Sequence, residues 1–216
     1  MRASIIIFQI LLSVGLHAQQ INTQVGRVTS TFDYQNSAGE GLENLYSASG
    51  FSYAVGYRMP LFERVFLNGD IIYNTYNSFG SDELFGNSYS WQAEYLGLSA
   101  GIEGEVWKSK GYTLLIRGDL DPQFMTKGSQ MINEQAYDLK GAEQFDKPFL
   151  FYRGGLGFNF CAETNLRISL KYMYGIGTPI GGSGGGESLR IKTSTISIGV
   201  LWSFRKCTYC NNKRFR

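Results

Sequence analysis

From Ile196 to Phe204 two kinds of residue alternate without a break. Ile196, Ile198, Val200, Trp202 and Phe204 share one parity, and Ser197, Gly199, Leu201 and Ser203 the other. Period-two alternation predicts a strand whose two faces meet different environments, here running from Arg190 to Phe204. The rhythm recurs upstream. Phe51, Tyr53, Val55, Tyr57 and Met59 oppose Ser52, Ala54, Gly56 and Arg58; past a tight turn at Pro60, Val65, Leu67, Ile71 and Tyr73 oppose Asn68, Asp70 and Asn74. Tyr112, Leu114, Ile116, Gly118 and Leu120 oppose Thr113, Leu115, Arg117, Asp119 and Asp121. Leu150, Tyr152, Leu156, Phe158 and Phe160 oppose Arg153, Gly155, Gly157 and Asn159. After a turn from Cys161 to Asn165, Leu166, Ile168, Leu170, Tyr172 and Tyr174 oppose Arg167, Ser169, Lys171 and Met173.

Two further segments complete the set. Val25 to Tyr34 sets Gly26, Val28, Ser30, Phe32 and Tyr34 against Arg27, Thr29, Thr31 and Asp33, which predicts a first strand with the arginine and aspartate on its polar face. Tyr89 to Trp107 changes phase, with Tyr89, Trp91, Ala93 and Tyr95 on one parity and Leu96, Leu98, Ala100, Ile102 and Val106 on the other. A bulge near Tyr95 accounts for the switch, and so does a strand whose upper half stands clear of a membrane. Eight strands result. The connections are long after the first, third, fifth and seventh (Gln35 to Ser49, Asn77 to Ser88, Thr126 to Lys147, Gly175 to Ser188) and short after the others. Outer-membrane barrels have this asymmetry, with short periplasmic turns and long outer loops.

Alternation alone does not say which parity faces inward. The polar parity carries opposite charges, Arg27, Asp33, Arg58, Asp70, Arg117, Asp119, Arg153 and Arg167, and little of the Lys and Glu of a soluble surface. Tyrosines collect on the apolar parity towards strand ends, where an interfacial girdle would sit. A lipid-facing arginine near the midplane costs roughly 2 to 4 kcal/mol. These eight residues are therefore expected to form a lumenal charge network, and an eight-stranded bore is filled by side chains.

Composition and motifs narrow the function. The chain is 15% aromatic and 18% charged, with a formal net charge of +2, which gives no footprint for nucleic acid. Arg2, the apolar run Ile5 to Leu16 and the small residue Ala18 read as a cleaved secretory leader over residues 1–18. Its removal takes away His17, the sole histidine, and with it triads, His-type zinc sites and imidazole acid-base chemistry. Neither a cofactor nor a metal site is expected. Gly181 to Ser188 is glycine-rich but lacks the ending of a phosphate loop. Asp119 and Asp121, two apart on one face, read as lumenal acids neutralised by arginines. Cys207 and Cys210 sit in a basic tail, residues 205–216, and Cys161 lies in a short turn predicted on the same rim. A disulfide from Cys161 to either, one within the tail, or free thiols all fit that spacing.

The segments from Tyr95 to Leu120 and from Phe151 to Ile180, with the closing strand, are similar in layout to small outer-membrane β-barrels of the PorT-like or OmpX-like kind. Tyr95-Leu96 opening a strand and Lys171 to Gly175 closing one carry the likeness. The resemblance implies an accessory of protein secretion and no catalytic residue. The expectation is an all-β, antiparallel up-and-down transmembrane barrel over residues 19–204, monomeric, non-enzymatic and set in outer-membrane lipid. A protein partner is expected at the loop 126–147 or at the basic tail. A narrow solute channel, a lipid-modifying enzyme and a soluble lipocalin-like carrier are the rival readings.

Overall fold

The computed structural model describes residues 20–35, 45–82, 87–133, 135–141, 146–181 and 188–204. The predicted leader and the basic tail lie outside the described residues. Among the described residues nine strands form: β1 Gln20–Gln35, β2 Leu45–Pro60, β3 Val65–Asp82, β4 Asn87–Ser109, β5 Tyr112–Ile132, β6 Gln135–Asp138, β7 Phe149–Cys161, β8 Leu166–Pro179 and β9 Ser188–Ser203. All pair antiparallel in the order β4-β3-β2-β1-β9-β8-β7-β5-β6, and a further β4–β5 pairing shuts the ring. Closure leaves the eight long strands no free edge. The ninth, β6, is a short addition paired with the far end of β5, Ser129 to Ile132.

At one end the connections are short: residues 61–64, 110–111 and 162–165. The two-residue turn between Ser109 and Tyr112 places Gly111 at φ 85°, a conformation that glycine reaches without strain. At the other end the strands run further than their sequence suggests. The polar stretch predicted as a loop from Asn77 to Ser88 is strand on both sides, paired up to Asp82 and Asn87. The predicted loop from Thr126 to Lys147 is a hairpin over much of its length, made by the end of β5 and by β6.

These extensions divide the barrel into two storeys. In the lower one the apolar rows face outward: Ile21 and Val25 on β1, Val55 on β2, Ile71 on β3, Leu98 and Ile102 on β4, and Ile116 and Leu120 on β5 are all exposed. On β9 the exposed row runs from Ile196 to Phe204, close to the roughly 9 to 11 residues of a tilted transmembrane strand. Trp107, Tyr112, Phe160, Trp202 and Phe204 ring the short-turn end of this belt, and Phe51, Tyr53, Phe124, Tyr152 and Tyr174 its other end. Such paired girdles belong at membrane interfaces.

In the upper storey the sense reverses. Val28, Phe32, Tyr76, Trp91, Ala93, Tyr95, Met125, Leu139, Phe149, Phe151, Leu189 and Ile191 pack together inside. Thr29, Thr31 and Asp33 on β1, Gln92 and Glu94 on β4, Lys127 and Ser129 on β5, and Arg190 and Lys192 on β9 share the outer face. A wall that is polar outside and apolar within follows the ordinary rule for a surface that meets water.

That reversal accounts for both doubtful strands. On β4 the alternation holds from Trp91 to Val106 and breaks only at the short-turn end, where Val106 and Trp107 both face outward beside an irregular pairing. Tyr95 faces in and Leu96 out, and the irregular pairing beside Glu94 arises from one extra residue, Thr126, on β5. The strand changes storey, not phase. On β1 the prediction is corrected: Val28 and Phe32 are buried at 0% and 3% exposure, whereas Arg27 is exposed and Asp33 half-exposed, pairing with Lys192 on the outer wall at 2.9 Å. Arg27 and Asp33 do not belong to the lumen. Their segment lies at and above the rim of the belt, where the apolar parity is the inward one. The residues that hold the lower phase, Gln20 and Asn22 inside and Ile21 outside, precede the segment read as a strand.

Candidate functional site: the lumenal charge network

Six of the eight predicted lumenal residues, Arg58, Asp70, Arg117, Asp119, Arg153 and Arg167, lie inside the lower bore, joined by Glu103, Glu105, Asp121 and Lys171. All ten project from inward positions of β2, β3, β4, β5, β7 and β8. Acids (Asp70, Glu103, Glu105, Asp119, Asp121) and bases (Arg58, Arg117, Arg153, Arg167, Lys171) are equal in number. That balance is what burial demands, because an uncompensated charge away from water is strongly unfavourable.

Arg58 anchors the end nearest the short turns, with no exposed surface. Its Nη2 lies 2.6 Å from Glu103 Oε1 and 3.3 Å from Glu105 Oε1, and its Nη1 donates to Gln20 Oε1 at 2.7 Å. The guanidinium carbon sits 3.4 Å from the centroid of the Phe66 ring, where the negative face of the π-system attracts it. Lys108 meets Glu105 at 3.0 Å, Arg167 reaches the same carboxylate at 3.9 Å, and Lys171 stands 3.7 Å from Glu103.

One layer up, Arg117 Nε donates to both oxygens of Asp119, at 2.8 and 2.9 Å, and its Nη2 donates to Asp70. Asn22 Nδ2 also donates to Asp70, at 3.0 Å. Gly101, opposite Asp119 on β4, makes the space for this arrangement, since a Cβ there would run into the Asp119 carboxylate. Above it Arg153 Nε meets Asp121 at 2.9 Å, and its Nη2 donates to the Tyr76 hydroxyl at 2.6 Å. Tyr76 in turn donates to Gln123 Oε1 at 3.0 Å. The Tyr76 ring stacks on Phe151 with centroids 5.1 Å apart, which joins the ionic layers to the aromatic upper core.

The network fills the bore with fixed, mutually neutralising groups. Among the described residues no group of three or more His, Cys, Asp or Glu side chains is placed to hold a metal ion. Asp119 and Asp121 are each engaged by an arginine, and Glu103 and Glu105, likewise two apart on one strand, share Arg58. Glu103 and Glu105 were absent from the predicted set because the phase of their strand was open. Their shared parity with the inward Gly101 was the signal that could have found them.

At the rim, Cys161 ends β7 and is disulfide-bonded. Cys207 and Cys210, the other two cysteines, lie outside the described residues.

No protein-family model matches the chain, and no curated protein matches it. Among solved structures it is similar to Neisserial surface protein A, with 14% identity over 84% of this chain and 97% of that one and a TM-score of 0.47. It is also similar to Ail, the attachment invasion locus protein of Yersinia pestis, with 15% identity over 86% and 99% and a TM-score of 0.41. The outer membrane protease OmpT from Escherichia coli is a third, with 8% identity over 87% and 97% and a TM-score of 0.48. A likeness at this level assigns none of these proteins' roles to the chain.

Proposed function

We propose that the protein is an integral outer-membrane β-barrel whose bore is closed, and that it works by non-enzymatic docking through the part standing above the belt. The observation that carries the reading is the pairing of an outward apolar belt, bounded by aromatic girdles, with an interior of buried, charge-balanced groups. A soluble carrier of the lipocalin kind would invert both faces along its whole length, whereas here the soluble sense is confined to the upper storey. Arg58, Glu103 and Gln123, fully buried across the lumen, support a closed bore. The upper storey has a packed interior and a polar outer face. Its β5–β6 hairpin is fixed to the core by Leu139, 3% exposed, and shows Met131 and Tyr137 to solvent. Loops and hairpins held on such a scaffold are where binding residues collect. Assistance to protein export, in keeping with the PorT-like layout, is one form that docking takes.

The test is reconstitution into planar bilayers together with capture of partners from membranes. The expected result is insertion without steady single-channel conductance and a partner lost when residues 129–139 are replaced by a short turn. Reproducible unitary conductance would favour the solute-channel reading instead.

A further inference from the structure

Arg27, which the alternation assigns to the lumen, stands on the outer wall at the upper rim of the apolar belt. Its surroundings are specific. Nε and Nη2 donate to Ser49 Oγ at 2.9 and 2.7 Å, which fixes the plane of the guanidinium. Among the described residues Nη1 has no hydrogen bond and no carboxylate pairs with the group. In the row above it, across β2, β1 and β9, the outward positions are Ser49, Thr29 and Ser194, all hydroxyls. The nearest acid along β1 on this face, Asp33, is held by Lys192.

Directly below the guanidinium lies a groove of about 810 Å³ crossing β8, β9, β1 and β2. Its walls are apolar. Leu170, Ile198, Val25 and Tyr53 are register neighbours in one row, and Ile196 and Phe51 flank Arg27 in the next. An unpaired cation over a greasy trough, at the end of the belt that bears the long connections, matches an amphiphile with an anionic head and hydrocarbon tails.

We infer that Arg27 and the groove beneath it form a binding site for a phosphate-bearing lipid of the outer leaflet, the guanidinium and nearby hydroxyls holding the phosphate and the groove an acyl chain. The inference rests on the membrane placement proposed above. Arginine is suited to the task because its planar fork matches phosphate oxygens and it keeps its charge at every accessible pH.

The experiment is native mass spectrometry of the detergent-purified barrel titrated with lipid A or with its dephosphorylated form. The unaltered protein is expected to retain one lipid A through collisional activation and to retain the dephosphorylated form weakly. Arg27→Gln is expected to reduce lipid A retention roughly tenfold, as for one lost charge-assisted contact. Lys192→Gln, which alters a cation already paired with Asp33, should leave retention unchanged. Ile198→Trp, which fills the groove without touching the guanidinium, should also weaken binding. Equal retention by Arg27→Gln and the unaltered barrel would overturn the inference, as would equal retention of the two lipids. A protein that stays in solution without detergent would instead overturn the membrane placement itself.

Discussion

Replacing Arg58 with methionine is expected to cost about 3 to 5 kcal/mol of stability, the penalty of leaving buried charge without its partner. Arg58 has no exposed surface and is the shared cation of Glu103 and Glu105. Removing it strands two carboxylates, of which Glu103 keeps Lys171 at 3.7 Å and Glu105 keeps Lys108 and Arg167. The loss is therefore expected to be large but short of complete unfolding. Adding Glu103→Gln to Arg58→Met should recover a good part of it, because the second change removes the charge that the first left uncompensated. Urea unfolding of the vesicle-inserted barrel, followed by tryptophan fluorescence, reads both effects. A single-variant loss below about 1 kcal/mol, typical of an exposed pair, would mean that water reaches this layer freely.

The second large effect concerns the outer wall. Val200→Arg places a guanidinium in the middle of the lipid-facing row of β9 and is expected to cost roughly 2 to 4 kcal/mol. Thr31→Arg, on the same outer surface but in the upper storey, is expected to fall within about 0.5 kcal/mol of the unaltered protein, as for an ordinary surface change. The contrast matters more than either value. Both positions face outward on adjacent strands, and they differ only in whether hydrocarbon or water lies beyond. Similar costs at the two sites would remove the boundary between storeys.

The legible and illegible parts of this fold divide along that boundary. In the lower storey strand identity, inward parity and the arginines of β2, β5, β7 and β8 follow from alternation together with the cost of charge in lipid. A single rule holds there over whole strands. Above the belt the rule reverses, because the surrounding solvent changes while the chain does not, and period two carries no mark of that change. On β1 the alternation is legible only from Val25 to Tyr34, so the rule of the lower storey, applied there, gives it the wrong sense and draws Arg27 and Asp33 inside. On β4 both storeys were seen and looked like a phase error, which kept Glu103 and Glu105 out of the predicted network. The stretches Asn77 to Ser88 and Thr126 to Lys147 read as loops because polar outward residues on a wet wall resemble loop composition. Their strand character comes from pairing with neighbours distant in sequence, such as Glu94 with Lys127.

The central claim is that one continuous wall faces lipid along its lower part and water along its upper part. Single cysteines introduced at successive positions from 189 to 203 of β9, spin-labelled in vesicles and probed with oxygen and a water-soluble nickel chelate, test it most directly. The account predicts three classes: positions 196, 198, 200 and 202 accessible to oxygen, positions 190, 192 and 194 accessible to the chelate, and the odd positions shielded from both. Oxygen reaching positions 197, 199 and 201, or the chelate reaching 196 and 198 as readily as 190 and 192, would contradict it.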